Sequence, residues 1–383
     1  MPPLGYGTNL HAAESLEDLL GQVVPFAAAL RQRLAWPQVG ADLRLGFRAI
    51  ADLGQPAARA KLRRAFDLAG ISAHTLNGFP LGVFQAPVVK DAAYRPDWSE
   101  PARLEASLAL IDLALALSDE PLVTISTVPG CYLPHGPADL TAIARALGTW
   151  AAAALIAWQR TGRRVILCLE PEPGCLLAHS AEAAWFWRGP LATLGVAAAA
   201  AALDDDPVAG GIAVTNHLGL CFDTCHVALA GEDPVAAVGR LNAAGVPIAK
   251  VQASAAPEID PRDPAALARL LARQEPRFLH QAMAATAGGS LVFADDLDGL
   301  PAALARLPGA SLARAHFHIP LHAPLPGLGT TAPATALGLG AVQAAGCTHA
   351  AVETYTWPLL AGSPEAILAG TAAELAWLAE RWP

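Results

Sequence analysis

Asp223 and His226 stand three residues apart where an apolar run ends, in GLCFDTCH, residues 219–226. Gly219-Leu220-Cys221-Phe222 reads as a short buried strand. A carboxylate at the end of such a strand costs free energy unless something pairs with it. Similar polar ends recur along the chain: TNLH at 8–11, HTLNGFP at 74–80, STVPG at 126–130, LEPEPG at 169–174, VQAS at 251–254 and VETYTW at 352–357. The groups they offer are Glu170, Asp223, His226, Gln252 and Glu353, joined by His316 and His318 of HFHIP if that segment reaches the same place. Carboxylates, imidazoles and an amide oxygen around one point suit a divalent metal ion such as Mn, Zn, Fe, Co or Mg. Such an ion also offsets the burial of three acids, which gives Asp223 its partner.

Each residue alone has a plainer reading. Glu170 before a proline suits a surface cap, Asp-x-x-His is a short motif, and His316 and His318 share one strand face as core histidines can. Their joint occurrence at successive strand ends carries the metal reading. A zinc knuckle from Cys221, Cys225 and His226 lacks a second ligand pair. Lys250 could point inward beside Gln252 as a Schiff-base lysine does, but a crowd of acids does not lower a lysine pKa.

These ends must be positioned by a regular framework. Strands are expected at Leu4–Leu10, Leu43–Phe47, Ser72–Leu76, Leu122–Ser126, Val165–Leu169, Leu218–Phe222, Ala249–Gln252 and Ala350–Glu353, with amphipathic segments such as 57–69 and 101–117 between them. Eight strands separated by helices predict a single α/β domain over 1–383, a closed (β/α)8 TIM barrel whose strand C-termini meet at one mouth. An open doubly wound sheet is the competitor, and no G-x-G-x-x-G follows the first strand to support it. Two insertions interrupt the alternation. Residues 183–216 read as a helix followed by a mobile loop, and 255–312 as a helix at 264–274, the stretch QEPRFLHQ and a short strand LVFAD. A ninth strand-like run, ARAHFHIPL, spans 313–321.

Composition bounds the rest. The chain has 383 residues, 54% hydrophobic and 15% charged, enough for one large core. A formal charge of −9, with lysine only at 61, 90 and 250, argues against a nucleic-acid partner. Six scattered cysteines make no disulfide scaffold. The start MPPLGYGTNLH lacks the features of a signal peptide, and tracts such as 191–203 fall short of a membrane span. A cytoplasmic protein acting on a small molecule is expected.

The order Glu170, Asp223-x-x-His226, Gln252, Glu353 resembles the xylose-isomerase-like TIM barrel superfamily of sugar isomerases, ketose 3-epimerases and the endonuclease IV group. That resemblance implies metal ligation by Glu170, Asp223, Gln252 and Glu353. Gln252 stands where those families have histidine, so His316 or His318 is an alternative ligand. HFHIPLHAPLPGLG also resembles the endonuclease IV segment in which Asp-x-His precedes Gly-x-Gly, with His316 at the Asp position. Over the whole chain, TNLH, TLNGFP, LEPEPGC, DTCH, KVQAS, RFLHQ, HFHIPL, GLGTT and VETYTW resemble the EboE family of bacterial metabolite-traffic proteins. The resemblance implies a metal-dependent isomerase or epimerase of a sugar or cyclitol in a secondary-metabolite pathway. Glu170 and Glu353 would be acid and base, with His226 on a substrate hydroxyl and Asn77, Glu172, His280 and Trp357 around the substrate. The alternatives are an endonuclease-IV-like hydrolase of a small phosphoester and a non-catalytic metabolite-binding barrel.

Overall fold

The computed structural model describes residues 4–382. Eight parallel strands close a barrel: β1 (Gly5–Gly7), β2 (Val39–Arg44), β3 (Ile71–Asn77), β4 (Leu122–Thr127), β5 (Arg164–Leu169), β6 (Leu218–Asp223), β7 (Ile248–Ala253) and, last in the chain, β13 (His349–Val352). Each pairs with its sequence neighbours, and β13 closes the ring between β7 and β1. The strands are buried almost throughout, as continuous apolar runs covered by helices must be. The second strand lies four residues earlier than the alternation LRLGF suggests. Gly46 ends that run and Phe47 begins the helix Phe47–Leu53. Val39–Arg44 was harder to read because Gly40 and Asp42 interrupt it, and Gly40 is needed there: a Cβ would lie 2.8 Å from the Cα of Gly5 on β1.

The barrel interior is polar at mid-height. Lys250 Nζ donates to Asp42 Oδ1 at 2.8 Å and Ser126 Oγ at 2.9 Å, all out of reach of solvent. Burial alone would lower the amine, but Asp42, Cys221 and Glu170 more than reverse that and hold the ammonium above its ordinary value. Lys250 thus points inward as a paired cation, the opposite of a Schiff-base lysine.

The first insertion is helical throughout. Ser180–Phe186 runs on through a wide helical stretch Trp187–Gly195 into Val196–Ala201. The expected mobile loop is instead the helix Pro207–His217. Its start is written in DDDP: Asp206 Oδ1 accepts from Val208 N and Ala209 N, and Pro207 takes the first helical position. These helices cover Leu140–Thr161, which packs on β5 beneath them. That helix alone among the described residues is long and apolar enough to cross a membrane, and 56% of its apolar window is buried inside the fold.

The second insertion is larger than 255–312. It builds an antiparallel sheet from β8 (Pro257–Ile259), β9 (Ala282–Ala285), β10 (Leu291–Ala294), β11 (Leu312–Ala315) and β12 (Gly329–Thr330), in the order β10-β9-β11-β8-β12. Only the start of the ninth strand-like run is therefore strand: Leu312–Ala315 pairs with β8 and β9. Residues 316–319 then cross back to the barrel, where Ile319 N donates to Ala255 O just past β7.

Candidate metal centre and active site

Asp223 ends β6 and caps the helix Thr224–Leu229. Its Oδ1 accepts from Cys225 N (2.7 Å), His226 N (3.0 Å) and Ser254 Oγ (2.7 Å). Its Oδ2 is buried with no hydrogen-bond partner among the described residues. One oxygen therefore answers to the helix N-terminus, and the other is left for a ligand. Burial opposes ionisation, but His226, His318 and these hydrogen bonds outweigh it and hold the carboxyl below its usual value.

The strand ends bring Glu170, Asp223 and His226 together, each offering a ligand atom within 4.8 Å of the others, and do the same for His226, His316 and His318. Asp223 and His318 form a further group with Cys225, whose thiol burial pushes well up. Glu353 joins none of these groups. Its Oε1 is drawn aside by the amides of Asn9 (2.8 Å) and Asn77 (3.4 Å), and its Oε2 lies 3.5 Å from His318 Nδ1. Both glutamates have carboxyls raised well above the usual range. For Glu170 the causes are burial, then Glu353 and Asp223; for Glu353 they are burial, then Asp223 and Asp42, with Lys250 and Asn9 partly offsetting. Burial is also the main cause that holds His318 down at about 4 and His316 well below its ordinary value.

Glu170 Oε2, Asp223 Oδ2 and His318 Nε2 are buried without hydrogen-bond partners. Carboxylate oxygens and unprotonated imidazole nitrogens left bare at one place fit a divalent cation. Gln252 fits less well: it is buried beside Asp223 in the β6–β7 register, but its Oε1 accepts from Cys221 Sγ at 2.8 Å.

A cavity of about 50 Å³ opens over this cluster, with Asn77, Glu170, Glu172, His226, His318 and Glu353 in its walls. Two of the expected substrate residues lie outside it. His280 is braced between His316 O (2.7 Å) and Glu275 Oε1 (2.9 Å). Trp357 donates its indole N–H to Glu374 Oε2 (2.7 Å) and packs against Gly370, where an added Cβ would clash with its ring. Four residues escaped the sequence reading. Asn9, Ser254 and Gln281 sit in TNLH, VQAS and RFLHQ, segments singled out without assigning them a role. Tyr94, which donates to Glu172 Oε1 at 2.8 Å, carries no signal.

No protein-family model matches the chain, and no curated protein sequence matches it. Solved structures do. It resembles a xylose isomerase-like TIM barrel protein from Mycobacterium smegmatis, determined with magnesium, at 11% identity over 100% of this chain and 98% of that one, with a TM-score of 0.53. It resembles an L-ribulose 3-epimerase at 13% identity over 100% and 95%, with a TM-score of 0.51. The fold is thus the xylose-isomerase-like (β/α)8 barrel.

Proposed function

We propose that this chain is a metal-dependent isomerase or epimerase of a sugar or cyclitol-like polyol, of the EboE type its sequence resembles. The observation that carries this reading is the pair Glu170 and Glu353. They stand just past the ends of non-adjacent barrel strands and line one cavity, where two carboxyl groups on different walls can take and return a proton. Glu170, Asp223, His226, His316 and His318 would hold the ion, with Glu353 beside His318 and Gln252 turned to Cys221. A divalent ion bound there supplies Lewis-acid polarisation of a substrate carbonyl.

The chain's own residues divide the remaining work. One glutamate removes the proton from the carbon beside the carbonyl and the other delivers one to the opposite face. Asn9 and Asn77 hold the Glu353 carboxylate in place through its Oε1. His226 Nδ1 is tied to Pro171 O at 3.0 Å, which leaves Nε2 to face the ion. The test is deuterium incorporation in D2O next to the carbonyl of candidate ketoses and cyclitol ketones. Glu170→Gln and Glu353→Gln should each slow exchange by about 10²- to 10⁴-fold.

A second reading rests on His226, His316 and His318, whose clustered imidazoles favour metal-assisted hydrolysis of a small phosphoester. Phosphate release without carbon-bound exchange would select it. Tight metabolite binding with neither activity would select a carrier.

A further inference from the structure

The three clustered histidines are fixed by different means. His226 Nδ1 faces Pro171 O and His318 Nδ1 faces Glu353 O at 2.7 Å. A carbonyl only accepts, so both rings carry the proton on Nδ1 and present a bare Nε2. His316 Nδ1 faces a side chain, Gln281 Oε1, at 2.7 Å.

That amide has one permitted orientation. Gln281 Nε2 donates to Pro173 O at 3.1 Å and to Tyr94 Oη at 2.7 Å. Turned over, it would set its oxygen against the Pro173 carbonyl, and its amino group against His316. Gln281 is buried, and its main-chain oxygen also accepts from His316 N at 2.7 Å. Tyr94, receiving from Gln281, passes its own proton to Glu172 Oε1 at 2.8 Å. The hydrogens thus run in one direction, from His316 to Gln281, then to Tyr94 and Glu172.

We propose that Gln281 is a positioning residue that holds His316 as its Nδ1–H tautomer and so turns a bare Nε2 toward His226 and His318. The consequence is that His226 Nε2 and His316 Nε2, 3.1 Å apart, need a cation between them, a proton or a metal ion. Two lone pairs at that distance repel unless a cation draws on both. The second shell normally orients metal-binding imidazoles in this way. In this triad only the His316 clamp is a side chain, so only it can be removed by substitution. The metal consequence rests on the reading of the site given above, whereas the tautomer does not.

The experiment is long-range ¹H–¹⁵N NMR of chelator-treated protein with ¹⁵N-labelled histidine, with zinc titration of the same samples. His316 signals are assigned by difference from His316→Gln. In wild type, His316 should show protonated Nδ1 and bare Nε2. In Gln281→Leu the proton should move to Nε2, where it can donate to His226 Nε2, and zinc affinity should fall about 10- to 100-fold. Gln281→Glu, isosteric and protonated toward Pro173 O, should keep both the tautomer and most of the affinity. A protonated Nε2 in wild type overturns the proposal whatever the Gln281 variants do. So does a folded Gln281→Leu protein with an unchanged tautomer. The expected tautomers without zinc binding in any sample would uphold the clamp and overturn the metal reading.

Discussion

Asp223 shows how one side chain can serve the fold and the site together. Its Oδ1 closes the helix Thr224–Leu229 by accepting two backbone N–H groups and the Ser254 hydroxyl, while Oδ2 has no partner. Asparagine caps a helix as well as aspartate does, so Asp223→Asn keeps the oxygen that the backbone needs and replaces the other with an amino group. The variant should fold, and in chelated samples it should melt close to wild type. The difference should come on adding Mn, Co, Zn or Mg. Ion at a hundred times its dissociation constant stabilises the native state by about 2.7 kcal/mol, and Asp223→Asn should lose most of that gain. Equal metal-induced shifts in the two proteins would show that Oδ2 is not a ligand. Asp223 and His226 were visible in the sequence because acids at strand ends are rare and expensive. Gln281 and Tyr94 were not, because a glutamine in an insertion becomes significant only once His316 lies 2.7 Å away.

At the level of elements, the site is assembled from loops that anchor one another. His318 Nδ1 donates to Glu353 O, and the Thr356 hydroxyl donates to His318 O, which ties the segment after β11 to the segment after β13. Both segments converge on Glu374 of the helix Pro364–Ala379. Its carboxylate accepts from Leu321 N (3.2 Å), Thr354 Oγ1 (2.6 Å) and Trp357 Nε1 (2.7 Å). Burial pushes this carboxyl up to about 7, with those hydrogen bonds opposing. The backbone and indole partners can only donate, so the amino group of Glu374→Gln would have to face a buried donor. The substitution should cost about 1–3 kcal/mol in denaturant unfolding and weaken metal binding through the displaced Glu353 segment. Unchanged stability would show that the two segments hold together without it. The barrel strands other than β2 were legible since each is a short buried run between helices. The second insertion was not: β8 and β12 have three and two residues, too short for any period to register. Its closeness to the mouth also matters for entry. Lys90 pairs with Asp296 and Arg277 Nη1 with Gln85 Oε1, so that the loops near 85–90 and 275–296 meet over a cavity of only about 50 Å³. That is room for a few waters, so a polyol would sit partly in the open mouth above it or need these loops to part.

For the whole molecule, the clustered acids should appear as a pH dependence that metal removes. Glu170 and Glu353 have folded-state carboxyls raised well above the unfolded value, with burial the leading cause. Above about pH 4.3, the ordinary glutamate pKa, the native protein therefore holds more protons than the unfolded chain, and stability falls as pH rises toward the raised values. The buried histidines act oppositely. His318 and His349, lowered to about 4 chiefly by burial, bind fewer protons when folded, so they add stability as pH rises to about 6.5, the ordinary histidine value. Asp223, held low, contributes stability that is lost only in acid. Below about pH 6.5 these effects oppose one another; above it the histidine gain ends, while the raised carboxyls, Glu374 among them, cost stability until each ionises. Chelated protein should thus stop gaining stability from its histidines near pH 6.5 and lose stability above that for as long as the raised carboxyls stay protonated, by at most about 1.4 kcal/mol per pH unit for each. A divalent ion takes the place of the protons, so metal-loaded protein should hold its stability across that range, and the metal-induced gain should grow with pH. Glu170→Gln should flatten the decline of the chelated protein. A chelated wild type whose stability does not fall above pH 7 would mean that these two carboxyls are already ionised within the fold, leaving neither of them to deliver a proton.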